Sequence, residues 1–389
     1  MSPFPPVPFS PMKTLLFVVT EDWYFWSHRV DLARAARAAG YRVLLATRFT
    51  AHRARIEALG IECFDLPFER SLRHPQRDLR LLFALNALIG RERPALVHLV
   101  ALKPILLAGL ALCLHRRVRF VHALTGMGYL FSSSDGLARR IQRCVRPVLK
   151  FLLSRPNSHA IVQNDDDLRL LGEELGVDTK RGATLIRGAG VDLERYQPTP
   201  LPDTQSPLIL LPARMLRDKG IAEFIAAAGQ VRARWPTARF VLVGGIDPDN
   251  PAACTQGELE AAIAGTGVEW WGHREDMRDA YAQASVVCLP SYREGLPKAL
   301  LEAAASGRPL VATDVPGCRD ICRPDLSGLR VPARDASALA RAIETLLADA
   351  ALRARLAAGA RALVEREFSS ERVHAATLAL YARLGAGAA

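Results

Sequence analysis

Residues 291–317, SYREGLPKALLEAAASGRPLVATDVPG, put a strand end, a charged loop and a helix start next to one another. The loop carries Arg293, Glu294 and Gly295, and Pro297 suits the first turn of the helix because its missing N–H costs nothing there. The N–H groups of Gly295, Leu296 and Lys298 then point out of the sheet edge. With the helix dipole they make an anion site suited to phosphate. Glu302 comes about five residues into the helix, roughly 7–8 Å along its axis, among Ala303, Ala304 and Ala305. Either glutamate alone reads as a solvated charge; two of them around EGLP at a strand–helix junction read as a site. A second set is LILLPARMLRDKGI, residues 208–221, where an apolar strand leads into Arg214 and then Lys219-Gly220. Two cations just past a strand end can clamp a diphosphate, arginine as a planar fork and lysine as a point charge. In a third set, VEWWGHREDM at 268–277, Gly272 follows a strand and lets a ligand approach the backbone, with His273 beside it.

The elements that carry these residues repeat. Short apolar strands are expected at 14–20, 41–47, 62–66, 96–100, 119–124 and 159–163. Helical patterns fall between them at 28–39, 50–59, 77–90 and 104–114, with another at 136–154. Residues 196–207, QPTPLPDTQSPL, read as a linker. The alternation then restarts, with strands at 208–211, 239–243, 268–271, 285–290 and 309–313. The fold class is therefore α/β: two Rossmann-like, doubly wound parallel-sheet domains facing across a cleft, where ligands bind in open α/β folds. The expected division is a disordered tail at 1–12, a first domain at 13–200 and a second at 201–367. Residues 368–389 would form a C-terminal helix returning to the first domain.

Half of the 389 residues are hydrophobic and 23% are charged, which describes a globular chain. The net charge of +11 lies wholly in residues 1–200, with 29 Lys and Arg against 18 Asp and Glu; the remainder has 22 of each. An anionic partner is expected there: a phosphate-bearing ligand, an acidic membrane surface or nucleic acid. The seven cysteines are scattered, and no His or Cys near Cys318 and Cys322 completes a metal set, so free thiols in a reducing cytosol are expected. The proline-rich start lacks the pattern of a signal peptide, and Met12 is an alternative initiator. The longest charge-free apolar run, 104–114, is short of the ~18–20 residues that a spanning helix needs.

The order Arg214, Lys219-Gly220, Trp271-Gly272 with Asp276-Met277, then Glu294-Gly295-Leu296-Pro297 with Glu302, resembles the donor half of the GT-B-fold retaining glycosyltransferases of family 4. The resemblance implies that Arg214 and Lys219 hold a nucleotide diphosphate and that the Gly295 and Leu296 amides cap the phosphates. It implies that Glu294 binds sugar hydroxyls, that Glu302 binds the ribose, and that Gly272 and His273 meet the base. TEDWYFWSHRVDLARAARAAGYRV, HLVALKPILLAGLA, HALTGMGYLF, IVQNDDDLRLL and IRGAGVDLERY are similar to bacterial members that extend polyprenyl-diphosphate-linked sugars. Two departures stand out. Many members have a glycine-rich loop where this chain has Asp22-Trp23-Tyr24-Phe25. Many have a histidine at the end of the fifth strand, a place held here by Thr125, with His122 three residues earlier.

The expected activity is transfer of a sugar from a nucleotide-sugar, a UDP-sugar, to a lipid-linked or glycan acceptor with retention of configuration. No metal or other cofactor is expected, because no acidic cluster of metal-ligand type occurs. On the acceptor side, Lys103 is a candidate for the acceptor phosphate and His122 for a sugar contact, against a histidine packed in its strand. Residues 136–155 carry Arg139, Arg140 and Arg143 on a basic amphipathic helix. Such a helix lies on an anionic membrane surface or grips a lipid diphosphate, the alternative being a packed helix with solvated arginines. The expected location is cytoplasmic, peripheral on the inner face of the membrane. Rival readings are a sugar-nucleotide epimerase, a phosphorylase and a nicotinamide oxidoreductase; for the last, no helix pattern follows Gly188-Ala189-Gly190. A nucleic-acid binder leaves Glu294 and Glu302 unexplained, and no nucleic-acid partner is expected.

Overall fold

The computed structural model describes residues 13–69, 75–126, 136–202 and 205–386; the expected tail at 1–12 lies outside them. Two wholly parallel sheets form the molecule. The first holds β1 (Thr14–Glu21), β2 (Arg42–Arg48), β3 (Glu62–Asp65), β4 (Leu96–Val100), β5 (Arg119–Leu124), β6 (Ser158–Val162) and β7 (Ala183–Leu185). Their order is β3-β2-β1-β4-β5-β6-β7. The second holds β8 (Leu208–Pro212), β9 (Arg239–Val243), β10 (Val268–Trp270), β11 (Val286–Leu289), β12 (Leu310–Thr313) and β13 (Gly328–Val331), ordered β10-β9-β8-β11-β12-β13. Strand order reverses between β1 and β4 and again between β8 and β11, which opens a crevice at the carboxyl ends of each pair.

Alternation along the strands feeds two helix layers on the first sheet. Leu16 and Val18 pack with α4 (Pro75–Glu92), α5 (Leu102–Ala111) and α6 (Gly136–Leu153). Leu15, Phe17 and Val19 face the other way, toward α1 (Asp22–His28), α2 (Val30–Ala38) and the last helix, α16 (Ser370–Ala386). The chain returns through a backbone exchange in which Val191 N–H donates to Phe368 O and Ser370 N–H donates to Val191 O, each at 2.9 Å. Tyr381 is then buried beside the first sheet, its hydroxyl 2.5 Å from His98 Nδ1.

Two local differences from the sequence expectation matter. The helix expected at 28–39 starts at Asp22 and breaks at Arg29, whose φ is −131°. Asp22 is fully buried, and its carboxylate accepts the N–H groups of Thr50, Ala51 and His52 at 2.8–2.9 Å. These bonds hold the carboxylate below the usual range against its own burial. The helix α7 (Asp165–Glu173) and the short edge strands β7 and β13 are further elements, too brief for periodicity to reveal. Among the described residues no helix is long and apolar enough to cross a membrane.

Candidate active site

The loops after β8 and β11 flank the switch point of the second sheet, so their side chains converge. Beyond Pro212 the chain turns through Met215 and Leu216, both buried, into a short 3-10 helix, Arg217–Lys219. Gly220 ends it at φ 74°, and a Cβ there would meet Pro290 O at 2.2 Å. Only glycine accepts both the left-handed backbone and that approach. Lys219 is thereby held against the β11 loop, with Nζ 2.6 Å from Glu294 Oε1; Ser291 Oγ donates to the same oxygen at 2.7 Å. The Arg214 guanidinium bonds the Asp247 carboxylate and sits 5.6 Å from the centre of the Trp23 ring.

Pro297 is the N-cap of α12 (Lys298–Ala305) rather than its first helical residue, with φ −74° and ψ 112°. Gly295, Leu296, Lys298 and Ala299 all line the cleft wall at this helix start, where the first helical N–H groups have no acceptor within the helix. Glu302 is 8% exposed. Its Oε2 accepts from the Tyr281 hydroxyl at 3.1 Å, and its Oε1 lies 3.6 Å from Lys298 Nζ. Burial first, then the Glu302 charge, pushes the Tyr196 and Tyr281 phenols up, so both stay protonated beside the carboxylate. Gly272, with φ 70° and open space around it, precedes His273, which lines the larger of two adjoining pockets; Gly272 itself lines neither.

The first domain closes the other side. Gly295 lies against Thr125: a Cβ on it would come within 2.3 Å of Thr125 O and 3.0 Å of Gln163 Oε1. Asn164 Nδ2 donates to Gly295 O at 2.8 Å, and Lys298 Nζ to Ser27 O at 2.6 Å. A pocket of about 360 Å³ results, lined by Arg214, Lys219, Glu294, Gly295, Leu296, Pro297 and Lys298 from one domain and Trp23, Tyr24, His28 and Thr125 from the other. A larger one of about 870 Å³ adjoins it, lined by Glu302, His273, Trp26 and Arg55 among others. Burial, then the cations Lys298, Arg29 and Arg214, hold the His28 imidazole well below its usual range, so it is neutral at neutral pH.

Sequence reasoning named no role for Trp23, Tyr24 and His28, although the aromatic density of DWYFWSH directly after a strand was a usable signal. It also overlooked Asp247, Ser291 and Tyr281, which hold the named residues and carry no motif of their own. Two acceptor candidates do not line either pocket. Lys103 is 8% exposed, with Nζ 2.7 Å from Asp78 Oδ1 within the α4–α5 layer. His122 is fully buried in β5, with Nε2 3.1 Å from Ser158 Oγ, and burial pushes it down to about 3. Both are corrections: the first carries its own counter-charge, and the second faces packed strand neighbours while Thr125 reaches the cleft. Arg143 is exposed on α6; the side chains of Arg139 and Arg140 lie outside the described residues. No group of three or more His, Cys, Asp or Glu among the described residues is placed to hold a metal ion.

Comparison with known proteins places the chain in a family. A family model described as glycosyltransferase family 4 matches residues 27–195, and one described as glycosyl transferases group 1 matches residues 206–349. The chain is 26% identical over 319 residues to the N,N'-diacetylbacillosaminyl-diphospho-undecaprenol alpha-1,3-N-acetylgalactosaminyltransferase of Campylobacter jejuni, covering 79% of this chain and 82% of that protein. It is 26% identical over 346 residues to the putative glycosyltransferase EpsD of Bacillus subtilis, covering 86% and 87%. Among solved structures, the sucrose-phosphate synthase of Thermosynechococcus elongatus superposes with a TM-score of 0.80 at 23% identity, over 96% of this chain and all of that one. HepE of Anabaena, solved in complex with UDP, superposes with a TM-score of 0.76 at 18% identity, over 96% and 100%. The two family models lie one on each sheet domain, and the chain belongs to the glycosyltransferases of family 4, with the GT-B fold.

Proposed function

We propose that this enzyme transfers a hexosyl or N-acetylhexosaminyl group from a UDP-sugar to a polyprenyl-diphosphate-linked acceptor, with retention of anomeric configuration. The observation that carries the reading is the convergence of Arg214, Lys219 and the N–H groups before α12 on one pocket, with Glu294 bonded to Lys219. That is the donor set a leaving diphosphate needs. In transfer the acceptor hydroxyl oxygen bonds the anomeric carbon while the bond from that carbon to the diphosphate breaks, and the hydroxyl proton passes to the departing diphosphate. Arg214, Lys219 and the helix N-terminus stabilise the charge released, and closure of the cleft holds donor and acceptor together. These cationic and N–H groups meet the diphosphate without a divalent metal. Glu294 orients sugar hydroxyls, Glu302 the ribose, and the Gly272–His273 turn the base.

The acceptor class rests on the Campylobacter relative, whose name specifies an undecaprenol-diphosphate-linked sugar, and on the surface of the first domain. Leu79, Phe83, Leu110, Leu114 and Phe151 are exposed on the layer made by α4, α5 with the turn after it, and α6, where Arg143 is exposed too. We assign this layer to the anionic inner face of the cytoplasmic membrane. The test is transfer from a panel of UDP-sugars to an undecaprenyl-diphosphate-linked N-acetylhexosamine in the presence of EDTA, with the product anomer read by NMR. Failure to bind UDP, or an inverted product, overturns the reading.

A further inference from the structure

Helix α1 stands where the strand order of the first sheet reverses, directly after β1, and its last turn enters the pocket that holds Arg214, Lys219 and Glu294. His28 is fixed there with unusual completeness for a residue of a seven-residue helix. Its ring stacks on Tyr24 with centroids 4.3 Å apart and planes 2° from parallel. Nδ1 lies 2.6 Å from Ser27 Oγ, and that hydroxyl donates to Tyr24 O at 3.3 Å. A hydroxyl that gives its proton to a carbonyl accepts from Nδ1, so Nδ1 carries the ring proton and Nε2 keeps a lone pair. The same turn is tied across the cleft by Lys298 Nζ to Ser27 O. Trp23, whose Nε1 donates to Glu21 at 2.6 Å, carries the Arg214 guanidinium on its ring. The pocket thus meets Arg214, Lys219 and Lys298 from one domain and, from the other, the rings of Trp23, Tyr24 and His28, with Arg29, Thr125 and Gln163 beside them. Cations suit the diphosphate. An apolar face beside a neutral acceptor suits a pyranose ring, which offers C–H groups on one face and hydroxyl protons at its edge.

We propose that His28 recognises the terminal sugar of the acceptor, its Nε2 accepting a hydrogen bond from one of that sugar's hydroxyls while Tyr24 holds the imidazole in plane. This rests on the transferase reading above and extends it to the acceptor side. His28 takes no part in breaking the donor bond, so its loss is felt only when an acceptor is present.

The experiment compares wild type with His28→Leu and His28→Gln in three measurements. These are UDP affinity by calorimetry, hydrolysis of the UDP-sugar with no acceptor, and transfer to an undecaprenyl-diphosphate-linked N-acetylhexosamine. His28→Leu should lower kcat/KM for the acceptor about ten- to a hundredfold, the loss that follows when a hydroxyl is left without its partner. UDP affinity and hydrolysis should stay within about twofold of wild type, which also shows that the variant folds. Glutamine places an acceptor oxygen near the position of Nε2, so His28→Gln should recover most of the transfer. Transfer by His28→Leu at the wild-type rate, or hydrolysis falling in step with transfer, overturns the proposal alone. Wild-type protein that binds UDP yet transfers to no lipid-linked sugar overturns the underlying reading and this proposal with it.

Discussion

The two sheets share a topology and differ in what they place inside it. The central strands β8 and β11 of the second sheet are apolar, no histidine lies in any of its six strands, and residues 201–389 carry no net charge. The ionic groups that line its pocket come from the loops after β8 and β11. The first sheet buries His98, His122 and His159 in the adjacent strands β4, β5 and β6. Its half holds the whole charge excess and exposes large hydrophobic side chains on one layer. Under the proposed function, one copy of the fold serves the soluble donor, while the other has one face toward the cleft and another outward. The lesson is that doubly wound topology fixes where a site lies, at the switch point, while loop and surface chemistry decide what is bound.

Several substitutions separate the two halves, beginning with the largest effect. Arg214→Ala and Lys219→Ala should each lower turnover on the order of 10²-fold or more, because diphosphate stabilisation is strongest in the transition state. Lys219→Ala also leaves Glu294 without its cation. Steady-state kinetics on both purified variants checks this, and wild-type turnover would break the assignment of charge chemistry to the second domain. Changing Arg139, Arg140 and Arg143 to Glu should act only on the first domain. Each basic residue near an anionic leaflet contributes about 1 kcal/mol, so partition onto anionic vesicles should fall by about 10²-fold while UDP binding is unchanged. High salt should reproduce part of the release. Cosedimentation equal to wild type would make α6 a solvated face.

The buried histidines sharpen the comparison through pH. Burial holds His122 at about 3 and His159 at about 4, against an ordinary value of 6.5. The unfolded chain therefore takes up protons below pH ~6.5 that the folded chain declines, and stability falls as pH drops from there toward the folded values. At about pH 5 each histidine should cost about 2 kcal/mol. Thermal unfolding between about pH 7.5 and pH 5 tests this. The decline should shrink when His122 and His159 are both replaced by Gln; an undiminished decline would place the acid sensitivity elsewhere. The smallest effect divides the two glutamates. Glu302→Ala should weaken UDP about tenfold, since its proposed partner is the ribose, whereas Glu294→Ala should leave UDP within about threefold and impair transfer. Calorimetry giving the opposite ranking would refute the two roles.

Sequence alone determined the alternation of strands and helices, because apolar runs bounded by glycine and proline report local physics that needs no partner. It also located the cations and glutamates of the second domain, because the spacing within each of the two strand–loop–helix units that carry them, after β8 and after β11, survives folding unchanged. Residue 122 shows where this stops: a histidine in a strand carries no mark of which face it takes, and the pairing of β5 with β6 turned it to Ser158. Lys103 shows the same for charge, since its partner Asp78 comes from a different helix. Only the tertiary structure brought Thr125, Gln163 and Asn164 against Gly295, set Trp23 beneath Arg214 and turned His28 into the cleft. These contacts join residues more than 100 positions apart, and their geometry depends on how two separately built sheets dock, which no periodicity within either one records.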